Sequence, residues 1–498
     1  MAEFFADIQD LKFVLFEQIG IEKLFKLPAF NELDRDTVDA IVDEAYKFAK
    51  NQIAPMNEIS DRQGVDFDNT TGEVKVPDAF LETHKLFCEN GWPALSNNPE
   101  FGGQGMPYLL HLAVNDLFFG ACLSYCLYPL LTVGAAHLVE SFGSDEIKDI
   151  YLEKMYTGEW GGTMCLTEAG AGSDVGALKT KAVKDGDRYK ITGEKIFISS
   201  GDHNLTDNNI HAVLGRIEGA PKGTKGISLF LVPKIRVDSD GSLGDTNDVK
   251  CSNIEHKMGI KGSATCTLVF GQDDNCYGYL LGEENKGMRA MFQMMNEARI
   301  SVGLQGASAA NAAYQQALNF SRERIQGPNI MKMMDPDAKS VPILQHPDIR
   351  HSLMWQKAIS EGTRALLLKT AYFWDQAHNS DNPKTTERNK ALVEVLTPIC
   401  KAYATDQGFN SIIMSIQTMG GYGYCQEYPV EQYARDTKIA SIYEGTNGIQ
   451  ALDLVGRKLP AKGGANFMAT IMFLNRLIDG NKDHELLKDE FALLTDAR

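Results

Sequence analysis

Along this chain the spacing of apolar residues changes twice. Up to about residue 160 it is helical. In RDTVDAIVDEAYKFAKNQIAP, Val38, Ile41, Val42, Ala45, Phe48 and Ala49 share one face, and the pattern stops at Pro55. GSDEIKDIYLEKMYTGEW repeats the idea, with Ser144 as cap and Ile147, Ile150, Tyr151 and Met155 as the stripe. From about 161 to 285 the period falls to two. DRYKITGEKIFISSG, HAVLGRI, GISLFLVPKI and ATCTLVF are short β-rich runs separated by Gly, Asp and Asn. From 286 onward long, Ala-rich amphipathic helices return, suited to a bundle. NIMKMMDPDAKSVPILQ reads as a loop between the first two of them, and another helix begins after GRKLPAKGG. The pattern predicts an α+β multidomain chain: a helical domain over 1–160, a β domain over 161–285, a helical bundle over 286–457 and the start of a helical extension over 458–498.

The stretch LFFGACLSYCLYPLLTVGAAHLV (117–139) is uncharged for long enough to suggest a membrane span. Pro129 interrupts it, and Ser124, Tyr125, Tyr128, Thr132 and His137 dilute it, so the expectation is a buried helix pair broken at the proline and no integral membrane segment.

Length adds that 498 residues exceed one typical core, which sets an expectation of two to four domains. A formal charge of −17, dispersed rather than gathered in a tail, argues against nucleic acid or an anionic membrane as the main partner. Nine cysteines, odd in number and scattered, suggest buried thiols in a reducing compartment, and Cys122 and Cys126 lack companions for a metal site. The N-terminus has neither a basic n-region nor a small-residue cleavage site, so a cytoplasmic protein is expected.

Three segments depart from core patterning. MCLTEAGAGSDV (164–175) sets backbone N–H groups of small residues beside hydroxyls, which suits a phosphate or the edge of a flavin ring; a glycine-rich connection into the β domain is the alternative. In IFISSG (196–201) strict alternation places Phe197 and Ser199 on one strand face, and by itself this reads as the end of a core strand. The third, TMGGYGYCQEYPVEQYARDTKIASIYEGTNGIQ, ends on IYEGTNGIQ (442–450), which holds one acid, Glu444, and no other charge, directly after the charge-rich EYPVEQYARDTKIAS. Its GGYG follows no strand and is not a dinucleotide fingerprint. No P-loop, H-E-x-x-H, C-x-x-C or G-x-S-x-G occurs in a suitable context.

In this order and spacing the segments resemble the acyl-CoA dehydrogenase family. MCLTEAGAGSD is similar to its flavin-loop signature, and GGYGYCQEYPVEQYARDTKIASIYEGTNGIQ to its C-terminal signature. The likeness covers about 30–457, and the long N-terminus, the DPDAKSVPILQHPDIR loop and the extension past 457 resemble the larger bacterial members. The resemblance implies a β-barrel-like middle domain, a C-terminal four-helix bundle and α,β-dehydrogenation of an acyl-CoA thioester with FAD as hydride acceptor. A base removes the α-proton, and donors must stabilise the enolate-like oxygen. It also implies electron transfer to an electron-transfer flavoprotein and a homodimer or homotetramer.

By the same resemblance Glu444 matches the catalytic base, with Gly445 approaching the substrate and Thr446 and Asn447 meeting the flavin. Burial among apolar groups would raise a carboxyl's pKa toward the working range. Met164, Leu166, Thr167, Gly172 and Ser173 match the flavin loop, with Ser173 also near the substrate's phosphopantetheine; Phe197, Ile198 and Ser199 match the strand against the isoalloxazine. Arg324, Gln417, Gly420 and Gly421 match residues that serve the FAD of a neighbouring subunit. Asn296 and Arg299 match positions near the thioester and CoA. A minority of the family places its base where Ala298 stands here, and Glu297 beside it would point about 100° away on a helix. Departures are Ala169 for a common proline, Gly448 for a side chain often aimed at FAD, and RERIQG without a phenylalanine. Two alternatives stay open: an oxidase reoxidised by O₂, and a silent flavin- or CoA-binding scaffold.

Overall fold

The computed structural model describes residues 3–497, apart from the side chains of residues 293 and 294. The N-terminal region contains α1 (Ile8–Phe13), α2 (Arg35–Phe48), α3 (Ala54–Gln63), a short hairpin of β1 (Asp66–Phe67) and β2 (Val74–Lys75), α4 (Ala79–Glu89), α5 (Tyr108–Phe142) and α6 (Asp145–Thr157). Local chemistry sets the starts. Asp34 accepts from the Thr37 amide at 2.8 Å to cap α2, and Ser144 accepts from the Ile147 amide at 3.3 Å to cap α6.

Among the described residues α5 alone is long and apolar enough to cross a membrane, and 83% of its most apolar window is buried inside the protein. It packs on α7, α8 and β3, described below. The expected break at Pro129 is not where the helix gives way. Backbone angles leave the helical region at Cys122 (φ −159°, ψ 94°), and Pro129 sits within the second half. At the break the Ser60 and Ser124 hydroxyls lie 3.0 Å apart and 3.8 and 3.4 Å from the Cys122 sulfur, so polar partners from α3 meet the chain there. That cross-helix contact is tertiary, whereas the proline is only a local signal.

The middle region runs β3 (Trp160–Cys165), β4 (Lys181–Asp185), β5 (Arg188–Ser199), β6 (Asn208–Ile217), β7 (Ile227–Pro233), β8 (Ile235–Val237), β9 (Leu243–Thr246), β10 (Val249–Ile254), β11 (Thr265–Phe270) and β12 (Tyr277–Leu281). The main sheet has the order β10-β11-β5-β12-β7-β6-β3. β4 closes it into a ring, pairing antiparallel with β5 (Lys181↔Thr192) and parallel with β6 (Lys181↔Arg216). Closure of β5-β12-β7-β6-β4 leaves those strands no open edge, which is what a barrel achieves. β3 runs parallel to β6 (Trp160↔Asn208) and carries the chain out of the helices into the sheet.

The C-terminal region contains α7 (Gly287–Glu323), α8 (Pro347–Asn379) and α9 (Pro383–Met419), three long helices packed on one another; α10 (Val430–Thr437) packs on α7 and α9. α11 (Asn447–Asp453) and α12 (Ala465–Asn481) lie against α9, and α13 (Lys488–Ala497) against α12. The segment between α7 and α8, expected as a loop, includes two short antiparallel strands, β13 (Ile325–Pro328) and β14 (Ser340–Pro342). They are too brief for alternation to reveal them. α7 and α9 come unusually close because glycines face the contact: a Cβ added at Gly408 would stand 2.4 Å from the Gly306 carbonyl oxygen.

Candidate active site

Where β3, β5, α7 and the 444–445 turn converge, they enclose a cavity of about 330 Å³. Met164 comes from β3, Leu166, Thr167, Gly172 and Ser173 from the loop after it, and Phe197, Ile198 and Ser199 from the end of β5. Arg299 from α7, Glu444 and Gly445 complete the opposite wall. The structure therefore brings eleven of the expected residues to one place.

Two buried charges brace this wall, and neither was expected. Lys195, with its side chain fully buried, donates to Glu168 Oε1 and to the Leu166 carbonyl, each at 2.9 Å. Glu168 also accepts from the amides of Lys179 (2.6 Å) and Thr180 (2.9 Å) and from the Thr180 hydroxyl (2.6 Å). Burial pulls the Lys195 pKa down and Glu168 only partly restores it. For Glu168 burial pushes up, yet the Lys195 charge and the hydrogen bonds win and hold it below its usual range. The glycine-rich loop is thus tied to β5 through a satisfied ion pair. The signal was present: strand alternation puts Lys195 on the inward face with Tyr189 and Ile191.

Beyond Lys195 the alternation fails. The β5–β11 register runs Leu268↔Lys195 but Cys266↔Ile198, so two residues of β5 oppose one of β11. Phe197 sits at the bulge with φ 57° and is 58% exposed, while Ile198 is 2% exposed. Regular alternation of Phe197 and Ser199 is therefore corrected: the bulge shifts the parity of the strand end, and Phe197, Ile198 and Ser199 all reach the cavity.

Glu444 (φ 54°) and Gly445 (φ 82°) are consecutive left-handed residues. For glutamate this conformation is costly and persists only where surroundings enforce it. Gln450 does so by donating to the Glu444 carbonyl (3.2 Å) and the Gly445 carbonyl (2.9 Å). A Cβ at residue 445 would meet that same amide at 2.9 Å. Burial raises the Glu444 pKa, with Arg299 and then Lys401 opposing the rise. Arg299 is held by Asp453 at 2.8 Å, and burial lowers the Lys401 pKa to about 8.

Thr446 and Asn447 are not brought to this wall. Thr446 accepts from the Ile449 amide at 3.2 Å and caps α11. Asn447 accepts from Lys401 Nζ (2.8 Å) and donates to Thr405 (3.0 Å) and Asp406 (2.7 Å). Its hydrogen bonds are spent on holding Lys401 beneath Glu444, a role that sequence reasoning missed. Helical spacing does place Lys401 on the buried face of α9 with Ala404, Thr405 and Gly408. Asn296 lies one turn before Ile300 on α7, has a buried side-chain oxygen with no hydrogen-bond partner among the described residues, and is not among the residues that line the cavity.

A second cavity, of about 60 Å³, lies behind Glu444, and Glu444, Ser199 and Leu131 line both. Its sides include Leu127, Leu130 and Val133 of α5 and Ala298 and Val302 of α7. Glu297 does diverge from Ala298, as helix geometry requires, but turns to this cavity's far end and accepts from His137 Nδ1 at 2.7 Å.

Arg324, Gln417, Gly420 and Gly421 gather elsewhere, around an open groove of about 1020 Å³ where α7 and α9 end. Arg324 donates to Gln326 at 3.0 Å, and its guanidinium stands 5.3 Å from the Tyr422 ring centroid.

The chain belongs to the acyl-CoA dehydrogenase family: the models of the family's N-terminal, middle and C-terminal domains match residues 35–159, 163–272 and 285–459. It is 39% identical to a butyryl-CoA dehydrogenase of Syntrophomonas wolfei, over 98% of this chain and 81% of that protein. It is also 39% identical to the 3-methylmercaptopropionyl-CoA dehydrogenase of Ruegeria pomeroyi, over 92% of this chain and 77% of that one. Among solved structures, butyryl-CoA dehydrogenase from Megasphaera elsdenii matches with a TM-score of 0.69 and 26% identity, covering 85% of this chain and 98% of its own. The protein is accordingly an oxidoreductase and an FAD-dependent flavoprotein. The residues present fit the cofactor: a Cβ added at Gly172 would meet nothing within 4 Å, so the loop opens onto free space beside the bulged strand.

Proposed function

We propose that this protein oxidises an acyl-CoA thioester to the 2-enoyl-CoA, with Glu444 as the base that takes the α-proton. The observation that carries the reading is the position of Glu444, among the described residues the one carboxylate lining both the larger cavity and the smaller one behind it. A thioester α-proton is weakly acidic, so the base has to be close, oriented and poised in pKa. The strained turn and Gln450 orient the carboxylate, and burial raises its pKa while Arg299 and Lys401 limit the rise.

Bound FAD supplies the acceptor for the β-hydrogen as hydride. Met164, Leu166, Thr167, Gly172, Ser173, Phe197, Ile198 and Ser199 would hold its ring system, with Ser173 also facing the thioester's pantetheine arm. Gly445 lets backbone approach the substrate, and Arg299 keeps a positive charge beside it.

The electron acceptor in this reading is an electron-transfer flavoprotein. The groove around Arg324, Gln417, Gly420 and Gly421 lies apart from the Glu444 cavity. It suits the adenosine-diphosphate end of a neighbouring copy's FAD, in a homodimer or homotetramer. Free, mostly buried thiols favour a cytoplasmic setting.

Anaerobic titration of the FAD-loaded protein with acyl-CoA thioesters tests the reaction. Bleaching of the flavin by some members is expected, with Glu444→Gln binding the same thioesters but bleaching at least about a thousandfold more slowly. Wild-type rates in that variant would remove Glu444 from the role. Rapid peroxide formation in air would identify an oxidase, and no bleaching by any thioester would identify a silent scaffold.

A further inference from the structure

We infer that the partly buried His137–Glu297 pair is the floor of the acyl pocket and limits this enzyme to short acyl chains, of about four to six carbons. The inference rests on the proposed reaction at Glu444 and names its substrate class.

The 60 Å³ cavity has Glu444 at one end. At the other, Ser96, Tyr108, His137 and Glu297 also line a separate cavity of about 610 Å³ that reaches Asn98, Trp374 and His378. The partition is therefore one side chain thick. By the measure in which a single water needs ~10–15 Å³, the inner space takes about four to six water-sized groups. A longer chain has to pass the partition.

That partition resists displacement. His137 donates from Nδ1 to Glu297 at 2.7 Å and from Nε2 to Asn97 Oδ1 at 3.1 Å, and Asn97 in turn donates to the Pro93 carbonyl at 3.2 Å. Both ring nitrogens face acceptor oxygens, an arrangement that favours the charged imidazolium. Although burial opposes that charge, the Glu297 carboxylate outweighs it and raises the His137 pKa. Moving either group aside would break the ion pair and leave its partner's charge uncompensated.

The test measures kcat/KM and flavin-perturbation Kd for butyryl-, hexanoyl-, octanoyl- and decanoyl-CoA. Both partners are removed together so that no charge is left unpaired. In wild type both parameters should fall off beyond six carbons. In His137→Ala/Glu297→Ala, with FAD content checked, the octanoyl-to-butyryl ratio should rise at least about tenfold, while His137→Leu/Glu297→Leu, which refills the wall, should stay within about threefold of wild type. A wild type that prefers octanoyl-CoA, or an FAD-replete alanine pair with an unchanged ratio, overturns the proposal. Should no thioester bleach the flavin, the reaction reading fails, and the Kd series still decides the length limit.

Discussion

Lys195 and Glu168 meet at 2.9 Å with the lysine side chain wholly out of water, and the same ammonium reaches the Leu166 carbonyl. The pair fastens the loop at 164–175 to β5 two residues before the Phe197 bulge. It thereby fixes the two segments expected to hold the flavin ring.

Lys195→Met should therefore weaken FAD retention and destabilise the fold together. Removing one partner of a buried pair typically costs about 3–5 kcal/mol because the other charge is left uncompensated. Denaturant unfolding of the holoprotein and FAD release on dilution measure the two effects. Full retention of both would mean that the loop is held by its backbone contacts alone, such as the Ile196 amide donating to the Thr167 carbonyl at 2.9 Å.

The pH profile should report Glu444. A base works only when ionised, and burial raises this carboxyl above its usual value. So kcat/KM should rise with pH through a limb above the ordinary glutamate range. Lys401 opposes the rise; Lys401→Met deletes a cation that favours the carboxylate and should move the limb to higher pH. A limb unmoved in that variant would show that burial and Arg299 set the carboxylate's poise without Lys401.

At the α7–α9 contact, Gly408→Ala should destabilise by about 1–3 kcal/mol, since the new methyl meets the Gly306 carbonyl at 2.4 Å and the helices must part. Gly362→Ala on α8, where an added Cβ meets nothing within 4 Å, should instead stabilise by about 0.5–1 kcal/mol. Equal unfolding midpoints for the two would refute the close-packing account.

Much of the architecture was legible because it rests on local periodicity. The switch from 3.6 to 2 and back marks the helical, barrel and bundle regions, and caps such as Asp34 and Ser144 mark helix starts at their own positions. Glu444 stood out as a lone acid in an uncharged run, and the loop at 164–175 stood out by composition. What the sequence concealed depends on contacts between distant segments. The α5 break falls at Cys122 because Ser60 of another helix meets it there, not at the proline. The parity change at Phe197 is a mismatch with β11, a strand some 70 residues away. Asn447 points to Lys401 rather than into the cavity because α9 passes beneath the turn, and Glu297 finds His137 only because α5 and α7 run side by side.

By itself the sequence determined where the long helices and the β-rich region lie, the reaction family and the identity of the candidate base. Only the tertiary structure decided which charges surround that base, how deep the pocket behind it runs and which wall closes it. Periodicity and composition act through neighbours a few residues apart, whereas desolvation, ion pairing and cavity shape arise only when α5, α7, α9 and the barrel are packed together.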